Sequence, residues 1–266
     1  MPNIKIIFFD IDDTLMRKED GYLPPDLPDH LQALKAKGIL TAIATGRSLG
    51  IIPQAIQDLI QTAGIDIISG ANGQVALHHG DILHEHPIPQ EDLKQLIALA
   101  EDKGWGYLLH GREALCVSRL DHRVMQAMYG IEPWFVHPKL HQESAIHQFG
   151  YFINSQEAAE LAQELPQLRL SDRYLYTPWH EYGCDLIPSQ GSKARGIREI
   201  CDSLNIDISQ VAAFGDGLND IDMLKSVGLG IAMGNACEEL KAVADYITDD
   251  IDRQGIANAL RHFQLI

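Results

Sequence analysis

The sequence is poor in cysteine and has no cysteine pair with metal-binding spacing. Its four cysteines are scattered along 266 residues without a C-x-x-C motif: Cys116, Cys184, Cys201 and Cys237. This pattern argues against a structural zinc site and against a disulfide framework, and it favours reduced thiols. The N-terminus also lacks the basic and apolar regions of a signal peptide. We therefore expect a cytoplasmic protein.

Positive charge and long apolar runs are also scarce. The chain has 21 basic and 37 acidic residues, which gives a net charge of −16. A nucleic-acid backbone calls for a basic face, so we expect no nucleic-acid partner. No apolar run approaches the length needed to span a bilayer, so we expect no membrane partner. Hydrophobic residues make up 45% of the chain, which is a normal share for a globular protein with an apolar core.

Short apolar runs alternate with helical patterns in the first 69 residues. The patterns predict buried strands at 4–9, 39–44 and 65–69, with helices at 27–37 and 51–62 between them. Strands that alternate with helices in this way form a parallel sheet covered by helices. We therefore predict an α/β fold with a Rossmann-like, doubly wound parallel sheet.

The pattern changes after residue 78 and returns near residue 187. In between, hairpin-like strands alternate with amphipathic helices, which are predicted over 93–103 and 156–165. This mixture is typical of an α+β domain inserted into the first one. We predict a core over 1–78, an inserted domain over 79–186 and the rest of the core over 187–266.

Three of the predicted parallel strands end in polar clusters. The clusters are Asp10-Ile11-Asp12-Asp13-Thr14, Thr45-Gly46-Arg47, and Gly215-Asp216-Gly217-Leu218-Asn219-Asp220. A single aspartate is explained well enough as a helix cap or a turn former. Three clusters at strand ends need another explanation, because ligands of open parallel sheets bind outside the carboxyl ends of the strands. We therefore expect one functional site at that edge.

The residue types in these clusters suit a metal ion and a phosphate group. The side chains of Asp10 and Asp12 leave an extended chain on the same side. Two carboxylates at so short a distance repel each other unless a cation lies between them. Asp216 supplies a third acid, and oxygen ligands of this kind suit Mg²⁺. Lys193 begins a predicted helix and offers a compact positive charge for phosphate oxygens.

With these residues the sequence resembles the haloacid dehalogenase superfamily and, within it, the Cof-like phosphatases of subclass IIB. Four ordered motifs carry the resemblance. The matches are Asp10, Asp12 and Thr14 to D-x-D-x-T, Thr45 to a threonine at a strand end, Lys193 to a single lysine, and Gly215, Asp216, Asn219 and Asp220 to G-D-x-x-N-D. The insertion falls where this family carries its large cap domain.

The resemblance implies an Mg²⁺-dependent phosphatase that acts on small phosphorylated metabolites, such as sugar phosphates, through an aspartyl-phosphate. Asp10 would be the nucleophile and Asp12 the general acid and base. The resemblance also implies the other roles. Mg²⁺ would be held by the Asp10 carboxylate, the Asp12 backbone carbonyl and Asp216, the phosphoryl oxygens by Thr45, Gly46, Lys193 and Asn219, and Asp220 would orient Lys193 or a metal-bound water.

Two other functions are compatible with the same residues. A phosphomutase of the phosphomannomutase type shares the aspartyl-phosphate but transfers the phosphoryl group to a sugar hydroxyl instead of water. A non-enzymatic phospho-aspartate receiver also combines acids, a threonine and a lysine on a parallel sheet. Receivers have roughly 120 residues, so the large insertion and Asp12 argue against that function. The sequence identifies neither the substrate nor the oligomeric state.

Overall fold

The computed structural model describes residues 3–131 and 133–266, and it divides the chain into two compact units. The core unit comprises Met1–Gly46, Ile52–Glu85 and Ser192–Ile266, and the inserted unit comprises Arg47–Ile51 and His86–Gly191. None of the helices in the described residues is both long and apolar enough to cross a lipid bilayer.

The first part of the core unit alternates strands and helices. Its elements are β1 (Ile6–Phe9), α1 (Leu27–Ala36), β2 (Leu40–Ala44), α2 (Gln54–Ala63) and β3 (Ile67–Gly70). Helix α1 buries Leu27, Leu31 and Leu34, which lie on one face because their spacing follows the helical period. Helix α2 begins three residues later than the predicted position 51, because a 3₁₀ turn occupies Leu49–Ile51 and Pro53 then caps the helix.

A hairpin follows and extends the same sheet. Its strands are β4 (Val75–His78) and β5 (Asp81–Glu85), and β4 pairs antiparallel with β3. The turn between the two strands places both His79 and Gly80 at positive φ, at 50° and 92°. The hairpin therefore gives the core sheet an antiparallel edge.

The inserted unit is built on a six-stranded sheet. Its elements are α3 (Gln90–Lys103), β6 (Gly106–Gly111), β7 (Leu115–Val117), α4 (His122–Ala127), β8 (Phe135–Val136), β9 (Ile146–Phe152), α5 (Ser155–Gln167), β10 (Tyr174–His180) and β11 (Gly183–Pro188). The strand order is β10-β11-β9-β6-β7-β8. Successive residues of β6 point to opposite faces, so Leu109 joins the apolar cluster with α3 and α5, and Leu108 joins the one with α4.

The chain then returns to the core unit. The remaining elements are α6 (Lys193–Leu204), β12 (Val211–Gly215), α7 (Ile221–Ser226), β13 (Leu229–Ala232), α8 (Glu238–Lys241), β14 (Tyr246–Ile247) and α9 (Gly255–His262). The eight-stranded sheet has the order β14-β13-β12-β1-β2-β3-β4-β5 and is parallel from β14 to β3. The predicted α/β fold with a parallel core sheet is thereby confirmed.

Candidate active site

The strand register brings three polar clusters to one edge of the core sheet. Phe9 of β1 lies opposite Ile43 of β2 and Phe214 of β12, so all three parallel strands end at nearly the same level. Just beyond that level the Asp10 N–H donates to the carbonyl of Phe214 at 3.1 Å. The segments that begin at Asp10, Thr45 and Gly215 therefore leave the sheet side by side.

A buried ammonium joins two of these segments. The Lys193 Nζ lies 2.7 Å from Asp10 Oδ1 and 2.6 Å from Asp220 Oδ1, and the lysine is only 1% exposed. Lys193 is the first residue of α6, and the Ser192 hydroxyl caps this helix by accepting from the Arg195 N–H. The start of the helix thus directs the lysine at the nucleophile predicted from the sequence.

Helix α6 can start there because its backbone approaches another turn closely. A Cβ atom on Gly196 would lie 2.7 Å from the Cα of Gly73, in the short 3₁₀ turn after β3. No side chain fits at that distance. Glycine at position 196 is therefore needed for the helix to pack where Lys193 reaches the strand ends.

Asp220 organises the loop that carries Asp216. Its Oδ2 accepts hydrogen bonds from the backbone N–H groups of Asp216 and Gly217, each at 3.0 Å. A Cβ on Gly215 would lie 2.6 Å from the Cβ and Cγ of Asp220, so only glycine allows the carboxylate to fold under the loop. Asp220 therefore holds both Lys193 and the loop, with one carboxylate oxygen for each.

Three carboxylates meet at this point. One oxygen each of Asp10, Asp216 and Asp220 lies within 4.8 Å of the others. The Thr14 hydroxyl donates to Asp216 Oδ1 at 3.1 Å, a contact that the sequence analysis did not anticipate. If all groups were ionised, three carboxylates and the one ammonium of Lys193 would leave two negative charges in excess. The donor set and this excess fit an oxygen-coordinated divalent ion such as Mg²⁺.

The pKa values reflect the same imbalance. Burial raises the pKa of Asp10 from 3.8 to about 7, against the attraction of Lys193 and with the help of the negative charge of Asp220. Burial also raises the pKa of Asp216 to about 7, and the charges of Asp10 and Asp220 add to the effect. Burial by itself would lower the pKa of Lys193, but Asp10 and Asp220 raise it above its usual range.

We expect the metal-free protein to lose stability as the pH rises toward neutrality. A carboxyl group whose pKa is raised by folding contributes stability below its unfolded pKa and loses it as the pH rises through the folded pKa. For Asp10 and Asp216 this window runs from 3.8 to about 7. The thermal midpoint, measured in chelator across that window, should fall less steeply for Asp10→Asn, which has one titrating group fewer. Equal slopes for the two proteins would contradict the assignment.

The remaining predicted phosphate ligands lie around the end of β2. Thr45 is buried, its N–H donates to the carbonyl of Ser69 at 2.9 Å, and its own carbonyl accepts from the Asn72 N–H. A Cβ on Gly46 would lie 3.2 Å from Asn72 Oδ1 and 3.7 Å from Asn219 Nδ2. Gly46 and Asn219 are therefore neighbours. Asn72, which stands in the sequence as part of an Asn-Gly turn signal, is a further polar neighbour of Gly46.

Asp12 lies in a tight turn directly after β1. The residue is half-buried and forms an isolated bridge with Met16. The next residue, Asp13, adopts a left-handed φ of 54°, and its N–H donates to the Met16 carbonyl at 2.7 Å. These two contacts with Met16 fold the backbone around Asp12 directly after β1.

Comparison with known proteins agrees with this geometry. A family model for haloacid dehalogenase-like hydrolases matches residues 7–260. YkrA of Bacillus subtilis (strain 168) is 30% identical over 265 residues, which cover 98% of each chain. A solved structure from Geobacillus kaustophilus HTA426 is 35% identical with a TM-score of 0.89, over 99% of this chain and 100% of that one. The structure of BT4131, a sugar phosphatase of HAD subclass IIB, is 32% identical with a TM-score of 0.81, over 98% and 100%.

The chain belongs to the haloacid dehalogenase-like hydrolases. The resemblance that the four sequence motifs carried is thereby confirmed. Within that family the protein is a phosphatase.

Proposed function

We propose that the protein is an Mg²⁺-dependent phosphatase that hydrolyses small phosphorylated metabolites through an aspartyl-phosphate on Asp10. The observation that carries this proposal is the buried ammonium of Lys193 between Asp10 and Asp220, next to the third acid, Asp216. Sugar phosphates are the first substrate class to test, because BT4131 is a sugar phosphatase.

Asp10 attacks in the first step and Asp12 moves the protons. A carboxylate oxygen of Asp10 bonds to phosphorus while the ester P–O bond breaks, and the leaving alkoxide takes the proton of Asp12. In the second step Asp12 takes a proton from water while the water oxygen attacks the phosphorus of the aspartyl-phosphate, and the bond between phosphorus and the Asp10 oxygen breaks. Inorganic phosphate leaves, and Asp10 and protonated Asp12 are restored.

The surrounding groups fix the nucleophile and hold the phosphoryl oxygens. Lys193, 2.7 Å from Asp10 Oδ1, sets the rotation of the Asp10 carboxylate. Thr45, the backbone of Gly46, Lys193 and Asn219 bind the phosphoryl oxygens, where negative charge spreads in the transition state. Asp220 keeps Lys193 in place through its 2.6 Å contact.

The Asp10 carboxylate, the Asp12 carbonyl and Asp216 would hold the Mg²⁺ ion. When bound, the ion supplies positive charge that offsets repulsion between the anionic nucleophile and the anionic substrate. The raised pKa values of Asp10 and Asp216 support this role, because a cation between the two carboxylates stabilises their ionised forms. Asp10 then attacks as the carboxylate near neutral pH.

We expect a chelator to remove phosphatase activity and added Mg²⁺ to restore it. Replacing Asp216 by asparagine removes one ligand charge, so this variant should need at least about tenfold more Mg²⁺ for half-maximal rate. Asp202→Asn is the matched control, because Asp202 is exposed on α6. Full activity in excess chelator would refute the role of the metal.

Phosphate release from a panel of sugar phosphates, nucleotides and cofactor phosphates tests the reaction itself. The proposal expects free phosphate from at least one class at a rate that Mg²⁺ controls. Formation of an isomeric phosphate ester without release would establish a phosphomutase instead. A stable phosphoprotein without turnover would establish a receiver.

We also propose that the inserted unit is the cap domain of this family and that the protein is cytoplasmic. The sequence predicts the bounds 79 and 186 for the cap domain. All four cysteines are free, and three of them, Cys116, Cys184 and Cys201, are buried. Free thiols are typical of a reducing compartment, which supports the cytoplasm.

A further inference from the structure

We infer that Asn235 is a positioning residue for the acid/base loop, defined as residues 11–16, and this inference rests on the proposed function. Asn235 lies in the turn after β13, 222 residues further along the chain than Asp13. Its side-chain amide donates to the Asp13 backbone carbonyl at 2.8 Å. The contact reaches the residue next to Asp12, the proposed general acid and base.

Asp13 needs such support because its backbone is strained. Its φ of 54° lies in the left-handed region, which residues other than glycine seldom adopt. Strained backbone of this kind persists only where surrounding contacts hold it, and it often occurs at active sites. The contacts of Asp13 therefore decide whether the loop keeps its shape.

Three hydrogen bonds hold Asp13, and two of them are local. Its N–H donates to the Met16 carbonyl at 2.7 Å, and its Oδ1 accepts from the Lys18 N–H at 2.9 Å. The third is the bond from Asn235 to its carbonyl. This third bond ties the acid/base loop to a different part of the core unit.

The turn that carries Asn235 is itself well anchored. Asn235 Oδ1 accepts from the Ile251 N–H at 3.1 Å, so the amide is held at both ends. On either side of it, the Met233 N–H donates to the Gly215 carbonyl at 2.9 Å and the Cys237 N–H to the Asp216 carbonyl at 3.0 Å. The same turn therefore contacts the loop of Asp216 through its backbone and the loop of Asp12 through Asn235.

This linkage sets the orientation of Asp12. The Asp12 carbonyl and the Asp13 N–H belong to one planar peptide unit, so fixing Asp13 also fixes the direction of the Asp12 carbonyl. The Asp12 carboxyl group follows the same backbone. Without the bond from Asn235, the loop could relax around Asp13 and displace both groups of Asp12 from the positions that the reaction needs.

Two substitutions at Asn235 test this role. Asn235→Ala removes both side-chain hydrogen bonds, whereas Asn235→Asp keeps an acceptor for the Ile251 N–H but cannot donate to Asp13. Asn258→Ala is the matched control. Asn258 is half-buried, its Nδ2 donates to Asp249 Oδ2 and the Arg253 carbonyl, and its Oδ1 accepts from Arg261, so the control removes three bonds nearby without touching the loop.

Two substrates distinguish a displaced general acid from an overall loss of activity. A sugar phosphate needs a proton for its alkoxide leaving group, whereas p-nitrophenyl phosphate releases a weakly basic phenolate that does not. The value of kcat/KM reports the steps up to phosphoenzyme formation, where Asp12 acts as an acid. We expect both Asn235 variants to lower kcat/KM for the sugar phosphate by about 30-fold and for p-nitrophenyl phosphate by less than about 3-fold.

Magnesium binding gives a second readout that does not depend on turnover. Mg²⁺ should raise the thermal midpoint of the protein, and the concentration that gives half of this rise measures its affinity. In Asn235→Ala that concentration should increase about tenfold, because the Asp12 carbonyl is no longer held. Asn258→Ala should match the wild type in both assays. Equal losses on the two substrates, or a wild-type response of Asn235→Asp, would overturn the inference.

The variant Asp12→Asn separates this inference from the proposed function. It should show the same preference for the p-nitrophenyl ester, and more strongly. If Asp12→Asn treats both esters alike, the acid assignment in the proposed function fails. If Asp12→Asn discriminates and the Asn235 variants do not, the positioning role alone is wrong.

Discussion

Asp10→Asn is expected to abolish turnover while leaving the fold intact. An amide is a poor nucleophile and cannot form the aspartyl-phosphate, so kcat should fall by at least about 10⁴-fold. The fold should tolerate the change, because burial already raises the pKa of Asp10 to about 7 and so favours a neutral group there. Phosphate release with a sugar phosphate and the thermal midpoint in chelator measure the two effects.

An acid-quench experiment adds a direct observation of the intermediate. Wild-type protein mixed with labelled substrate should carry acid-stable, hydroxylamine-sensitive phosphate, and Asp10→Asn should carry none. Asp202→Asn, an exposed substitution of the same kind, should behave like the wild type. If purified Asp10→Asn retained wild-type activity, the nucleophile would have to be another group.

Lys193→Met should have the second largest effect, on stability as well as on rate. The ammonium is buried between Asp10 and Asp220, and its removal leaves two carboxylates with no positive partner of their own. Breaking a buried ion pair from one side typically costs about 3–5 kcal/mol of the free energy of unfolding. We also expect kcat to fall by about 10³-fold, since in the proposed mechanism the lysine orients the nucleophile and binds phosphoryl oxygens. Denaturant unfolding and phosphate release are the measurements.

A double substitution separates these two effects. Lys193→Met with Asp220→Asn removes one acid together with the ammonium, so most of the lost stability should return. The rate should not return, because the charge that faces Asp10 is still absent. Recovery of both would mean that the lysine has only a structural role, and recovery of neither would mean that Asp220 is not its main partner in the fold.

Local patterns were sufficient to predict most elements of the core sheet. The run 4–9 contains β1 (Ile6–Phe9), and the run 39–44 contains β2 (Leu40–Ala44). Helix α6 (Lys193–Leu204) begins at the predicted residue, because Ser192 caps its start and apolar residues recur at helical spacing. In α6 the hydrophobic period and the capping residue agree on the same element.

The hairpin β4–β5 shows where local patterns stop being informative. The bounds predicted from the sequence divide this hairpin after residue 78, so that its second strand falls into the inserted domain. In the structure β4 pairs with β3 and the hairpin extends the core sheet. Which strand a hairpin joins depends on distant partners and register, and the alternation of its own residues does not encode them.

The candidate site, too, was predictable from the sequence only in part. Asp10, Asp12, Thr45, Lys193 and Asp216 were recognisable from motifs at strand and helix ends. The contact of Thr14 with Asp216 joins residues 202 positions apart, and no spacing rule predicts it. The bond from Asn235 to Asp13 joins residues 222 positions apart, and neither this bond nor the left-handed backbone of Asp13 is encoded in a local pattern.

By itself, the sequence determined the alternation of strands and helices in the core, the edge of the sheet where the candidate site lies, and the family to which the chain belongs. These features follow from short-range periodicity and from residue types at element ends. Only the tertiary structure decided that one buried ammonium serves both Asp10 and Asp220, and that Asp216 lies close enough to both acids for burial and their charges to raise its pKa. Electrostatic coupling of this kind depends on distances of a few ångströms between residues far apart in sequence, and strand register and loop geometry set those distances.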